Sequence, residues 1–179
     1  MKPVLIAIST TDGHTMHIGE RLRALLQARG AQVNLKRLAH CSADDVAESG
    51  AVVIGASIRY GKHQPQVAEF IVRHQAALES RLNALFSVNV VARKPGKDVP
   101  EGNPYLQKFL RTIAWKPKRL AVFGGRIDYP ALGFADRTMI RLIMWMTKGP
   151  TDASRAWEFT DWSRVDAFGE ALARDLALT

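Results

Sequence analysis

The chain of 179 residues holds a single cysteine, Cys41, so no internal disulfide can form. One thiol without a partner motif fits a reducing compartment and reads as a small buried or loop residue. Long apolar runs are also missing. No uncharged stretch reaches the roughly 18 residues of a membrane-spanning helix. Met1-Lys2-Pro3 leads directly into an apolar segment, which leaves no room for a secretory leader. Neither GxxxxGK[ST] nor GxGxxG occurs, so nucleoside triphosphates and dinucleotides are poor candidates as ligands. The five histidines do not cluster with carboxylates, and His14 and His17 share a helix face with no third ligand, so no metal site is expected. Acidic residues are scarce, 17 Asp and Glu against 25 Lys and Arg, for a net charge of +8. That surplus suits an anionic membrane or an acidic small molecule. No nucleic-acid-binding module accompanies it, so nucleic acid is not an expected partner.

What the chain has is alternation. Val4 to Ile8, Val33 to Leu38, Ala51 to Gly55, Leu85 to Val91 and Leu120 to Gly125 read as strands, most of them continuously apolar as in a parallel sheet covered on both faces. Helical spacing separates them: Ile18, Leu22, Leu25 and Leu26, then Val67, Phe70, Ile71, His74 and Leu78 behind Pro65. Asn103-Pro104 opens another helix with Leu106, Phe109, Leu110 and Ile113 inward. Thr160 caps a last helix carrying Trp162, Val165, Phe168, Leu172 and Leu176. The pattern is a doubly wound α/β domain with five parallel strands and helices on both faces.

In such sheets ligands bind beyond the carboxyl ends of the strands. Four segments meet there. Ser9-Thr10-Thr11-Asp12-Gly13-His14-Thr15 joins the first strand to the first helix. It offers hydroxyls, a glycine and helix N-terminal N–H groups, a neutral phosphate site that needs no metal. Read alone it is more readily an ordinary βα turn with Thr or Asp as N-cap. Ala56 to Gly61, Asn89 to Lys94 and Gly124-Gly125-Arg126 complete the crevice, with Arg59, Arg93, Lys94 and Arg126 around it. Tyr60 can stack on a flat ring and Gly61 lets backbone amides approach it. A phosphate site beside a planar-ring site points to flavin mononucleotide (FMN).

The same stretches carry a family resemblance. Ser9 to Thr15, Val53-Ile54-Gly55-Ala56-Ser57-Ile58-Arg59-Tyr60-Gly61 and Phe86-Ser87-Val88-Asn89-Val90-Val91-Ala92-Arg93-Lys94-Pro95 resemble the flavodoxin-like, quinone-dependent protoporphyrinogen IX dehydrogenase family of bacteria. Tyr129-Pro130, Asp136-Arg137, Met139-Ile140, Leu142-Ile143-Met144 and Thr160-Asp161-Trp162 extend the likeness along the whole chain. The resemblance implies one flavodoxin-like domain over residues 1–179. It implies that Thr10, Thr11, Asp12, Gly13, His14 and Thr15 hold the FMN phosphate. Ser57, Ile58, Arg59, Tyr60 and Gly61 flank the flavin, as do Ser87, Val88, Asn89 and Val90, with Phe86, Gly124 and Gly125 in the same cofactor-binding set. It further implies oxidation of protoporphyrinogen IX to protoporphyrin IX, with menaquinone or ubiquinone as acceptor, at the cytoplasmic face of the inner membrane. No side chain is singled out as catalytic. Asp12 stands where many flavodoxins have threonine, and His14 where asparagine is common. Asp12 is expected to turn outward or cap the helix while its backbone N–H does the binding, and His14 to be a solvated helix-start residue.

Leu132 to Lys148 reads as an additional basic, apolar helix after the fifth strand. At about 100° per residue, Arg137, Arg141 and Lys148 fall within about 40° of one another, opposite a wide apolar arc. Three readings fit: an interfacial membrane element, a helix packed on the sheet, or an apolar lip over the flavin. Two other functions share the fold signal, an NAD(P)H:quinone reductase and a non-catalytic electron carrier. Carriers of that kind are typically acidic, which this chain is not.

Overall fold

The computed structural model describes residues 2–177. In chain order it contains β1 (Val4–Ser9), α1 (His14–Ala28), β2 (Val33–Arg37), α2 (Ala43–Glu48), β3 (Ala51–Arg59), β4 (Lys62–His63) and α3 (Pro65–Glu79). There follow β5 (Leu82–Asn89), α4 (Pro104–Leu110), β6 (Arg119–Gly124), β7 (Arg126–Asp128), α5 (Phe134–Met146), β8 (Ala156–Glu158) and α6 (Trp162–Asp175). Among the described residues, five strands run parallel in the order β2-β1-β3-β5-β6, the expected doubly wound sheet.

Alternation along each strand builds two cores. Val4, Ile6 and Ile8 of β1 and Phe86 of β5 face one side, against Ile18, Leu22 and Leu26 of α1 and Val165, Phe168 and Leu172 of α6. Leu5, Ala7, Val52, Ile54 and Leu85 face the other, against Val67, Phe70, Ile71 and Leu78 of α3, Leu106 of α4 and the buried Trp115. Gly55 in β3 is required by this packing: a Cβ there would lie 2.2 Å from Phe86 Cζ and 2.7 Å from Ile8 Cδ1.

Element ends depart from expectation for identifiable reasons. β5 begins three residues before Leu85, because buried Asn83 donates to Leu78 O (2.8 Å) and accepts from Lys118 N (2.8 Å) instead of looping out. β3 continues past Gly55 to Arg59 and folds back on β4, pairing Arg59 with Lys62. Tyr60 and Gly61 between them have φ of 50° and 77°, the positive values a two-residue type I′ hairpin demands. Ile113 is buried but lies beyond the end of α4. Asp161, not Thr160, caps α6, accepting from Ser163 N.

The extra helix spans Phe134–Met146 and does not pack on the sheet. Its inner residues Ile140 and Met144 rest on a third, small core formed by Ile127, Tyr129, Leu132, Trp157 and Phe159 around the antiparallel β7–β8 pair.

Candidate functional site

At the carboxyl end of the sheet, the β1–α1 turn is shaped as a phosphate cradle. Gly13 has φ 87° at the α1 N-cap, and its N–H bonds Thr10 Oγ1 at 3.0 Å. The first-turn N–H groups of His14 and Thr15 have no intrahelical acceptor, as at any helix start, so they and the dipole favour an anion. The β1–β3 register pairs Ser9 with Ala56, which sets Ser57 beside Thr10. Gln64 and Gln66 tie the turn to α3: Ser9 Oγ donates to Gln64 Oε1 (2.8 Å) and Gln64 Nε2 to Thr11 Oγ1 (3.0 Å).

Three buried polar atoms around this turn lack any hydrogen-bond partner: Thr15 Oγ1, Ser57 Oγ and His14 Nδ1. Buried polar atoms are rarely left unpaired, so the arrangement fits a polar ligand. A phosphomonoester with a polyhydroxyl chain supplies the acceptors and donors these atoms need, and FMN carries both groups.

Asp12 behaves as expected. Its carboxylate turns out to Arg59 Nη1 at 2.9 Å and is 54% exposed. His14 does not. It is 7% exposed, with Nε2 at 2.6 Å from Thr160 Oγ1, and the ring meets Trp162 edge-on. Thr160 Oγ1 donates its own proton to Gly124 O (2.7 Å), so His14 Nε2–H must be the donor and Nδ1 a bare acceptor. Burial holds this imidazole below the usual histidine range.

Beside the turn opens a cavity of about 370 Å³. Asp12, Ile58, Arg59, Tyr60, Gly61, Asn89 and Val90 line it, all of them foreseen from sequence. Asn89 is buried and fixes the following 3-10 turn, Val90–Arg93, through Oδ1, which accepts from Ala92 N and Asn103 Nδ2. Ser87 Oγ lies 3.0 Å from His63 Nε2. Other expected members sit elsewhere. The Phe86 ring packs on Phe123 and Phe168 in the core, and Val88 is buried in the same cluster, because they point to the α1–α6 face. Gly124 faces Phe159, whose carbonyl would lie 2.0 Å from a Cβ there, so it is a packing glycine. Gly125 N donates to Asn89 O, which ties the two loops together.

The far wall consists of Leu132, Ile140, Ile143, Met144 and Thr147 of the extra segment, which matches the apolar-lip reading among the three, together with Tyr105 and the β7 residues Ile127 and Asp128, which sequence reading missed. The apolar periodicity of α5 signalled a wall but not which side it faced. Asp136 in the first turn of α5 accepts from Arg59 Nη2 and from the Tyr60 hydroxyl, and so fastens the helix to the β3–β4 hairpin. That bond pushes the Tyr60 phenol above its ordinary value. At the other end, Arg93 donates to Thr147 O (3.0 Å) and Thr147 Oγ1 (2.9 Å).

This sheet order, with a phosphate-type turn and a ring-sized cavity at its carboxyl edge, defines a flavodoxin-class protein. The flavodoxin-domain family matches residues 5–154, and the chain belongs to it. Among curated proteins it is 40% identical to protoporphyrinogen IX dehydrogenase [quinone] of Escherichia coli K12, covering 94% of this chain and 93% of that one. It is 35% identical to the protein of the same name from Leishmania major, covering 94% of this chain and 74% of that one. Among solved structures, rubredoxin oxygen:oxidoreductase from the anaerobe Desulfovibrio gigas aligns over 98% of this chain and 37% of its own, with a TM-score of 0.58 and 14% identity.

Proposed function

We propose that the protein is an FMN-dependent oxidoreductase that oxidises protoporphyrinogen IX to protoporphyrin IX and delivers the electrons to a membrane quinone. The observation that carries this reading is the junction, in one crevice, of a phosphate cradle with unpaired buried hydroxyls and an apolar cavity walled by α5. The near full-length likeness to two quinone-dependent protoporphyrinogen IX dehydrogenases supports it.

In this reading Thr10 to Thr15 and Ser57 bind the phosphate, and the Arg59 guanidinium keeps the Asp12 carboxylate off it. Ile58, Tyr60, Gly61, Asn89 and Val90 flank the flavin ring, while Phe86, Val88 and Gly124 contribute backbone and packing only. When bound, FMN supplies the hydride chemistry. The chain's part is orientation, exclusion of water by the α5 wall, and an apolar surface for the macrocycle. Residues 1–179 act as one flavodoxin-like unit.

A quinone acceptor calls for contact with the bilayer, and the segment 132–148 is the surface we assign to it. No helix among the described residues is long and apolar enough to cross a membrane. Phe134, Trp145 and Met146 are 86%, 71% and 69% exposed along the outer side of α5, an interfacial pattern. The acceptor is menaquinone or ubiquinone, reached from the cytoplasmic face of the inner membrane. The test is anaerobic addition of protoporphyrinogen IX and a quinone to FMN-loaded protein. Porphyrin fluorescence should appear only with both. Equally fast bleaching of the flavin by NADPH, without porphyrin formation, would overturn the reading in favour of a reductase.

A further inference from the structure

Next to the cavity, beyond Arg93 and Thr147, lies a second, open groove that no role above accounts for. Arg93, Lys94 and Lys148 line it together with Pro95, Pro150 and Phe159, and no acidic side chain does. The contrast with the cavity mouth is chemical. Arg59 is neutralised there by Asp12 and Asp136, and Arg126 by Asp128. Arg93 has no carboxylate partner among the described residues. Its three hydrogen bonds go to Val90 O, Thr147 O and Thr147 Oγ1, which leaves two of the five guanidinium N–H donors free. Burial holds its pKa below the ordinary arginine value, the mark of a cation lacking an anion.

The backbone is also bent to keep a cation here. α5 ends in a Schellman motif: Gly149 N bonds Met144 O at 2.7 Å, and Lys148 N bonds Trp145 O. The left-handed position of that motif usually takes glycine, yet Lys148 occupies it with φ 57°. Glycine follows instead at 149, where a Cβ would lie 2.1 Å from Met144 Cε and 2.9 Å from Arg93 Nη2. A lysine thus takes the left-handed position beside an arginine that has no carboxylate partner among the described residues.

We propose that this groove is a carboxylate subsite, which receives the acidic side chains of a ligand whose apolar body lies in the cavity. The inference rests on the proposed substrate, since porphyrinogens carry propionates on an apolar macrocycle. Arg93 stands between the two spaces and contacts both ring and carboxylate regions, with Lys94 and Lys148 at the outer end.

The test uses the stable product, so that it does not depend on turnover. Binding of protoporphyrin IX and of its dimethyl ester to FMN-loaded protein is followed by porphyrin fluorescence anisotropy in neutral detergent. The wild type should bind the diacid about tenfold more tightly, the sum expected of two exposed ion pairs. The double substitution Lys94→Gln, Lys148→Gln should narrow that difference severalfold, with Arg93 holding the remainder, and an undiminished preference for the diacid would overturn the subsite. Equal affinity of the wild type for diacid and ester would overturn the subsite, as would a variant that loses both ligands in parallel. Turnover of protoporphyrinogen IX, measured separately, reports on the proposed function. Diacid-selective binding without turnover would sink that function and leave the groove standing.

Discussion

His63 lies against the Phe109 ring, 4.6 Å between centroids, with its Nε2 on the Ser87 hydroxyl and no acidic partner. Burial pushes its pKa down to about 4. The sign of the linkage follows. Above pH 6.5 the residue is neutral in folded and unfolded chains alike, and its full contribution is present. As pH falls from 6.5 towards 4, the unfolded chain takes up a proton that the folded one resists. Stability declines across that window by up to roughly 3 kcal/mol and then levels off. Urea denaturation between pH 4 and pH 7 should show this slope, and His63→Phe should flatten it. An unchanged slope in the variant would mean that the imidazole is not held neutral by its surroundings. His14 illustrates the limit of reading at this scale. From sequence it is a polar residue at an exposed helix start, and Thr160, 146 positions away, and the neighbouring Trp162 bring it under cover.

Among the elements, α5 separates into two faces with different duties. Arg137, grouped by sequence with the membrane-facing cations, instead donates to the carbonyls of Tyr129 and Leu132 and holds the start of the helix down. In the proposed membrane contact the outward attraction then falls to the apolar side chains, Arg141 and Lys148. Replacing Phe134 and Trp145 together by serine should leave folding almost unchanged, because both are exposed. It should weaken sedimentation with lipid vesicles by one to two orders of magnitude, on the order of 2 kcal/mol of lost apolar burial. Undiminished vesicle binding would remove α5 from the interface. The strands and long helices were legible because Val4 to Ile8 and Ile18, Leu22 and Leu26 have the periodicity that burial demands. β4, β7 and β8 were not, since strands of two or three residues leave no periodic trace and take their form from the hairpin and from the Ile127–Trp157 pairing. The cavity's near wall was legible in turn chemistry. Its far wall depended on a satellite core assembled from Ile127, Tyr129 and Met144, whose partners are remote in sequence.

For the molecule as a whole, most acidic groups at the α1–α6 and β6–α6 seams are matched, as in Arg21 with Asp166, Arg29 with Glu170 and Arg119 with Asp175. At the phosphate turn, by contrast, the first-turn N–H groups and the Thr15 and Ser57 hydroxyls stand without partners. Phosphate should therefore matter more than the flavin ring in securing the cofactor. FMN at about 100 times its Kd should raise Tm by roughly 5–10 °C, and riboflavin by much less. The paired changes Thr15→Ala and Ser57→Ala should erase the difference in a thermal melt. Equal shifts for the two compounds in the unaltered protein would show that the phosphate turn is idle.

α5 is tethered at both ends, at Asp136 to Arg59 and Tyr60 and just past its end at Thr147 to Arg93. Under the proposed membrane contact, an oily ligand would meet a wall pinned at both ends. The flank of the helix at Ile143 is the side where the proposed membrane contact and the cavity meet, since Ile143 borders the cavity and is still 40% exposed. Anchoring and entry would then fall to different sides of one helix.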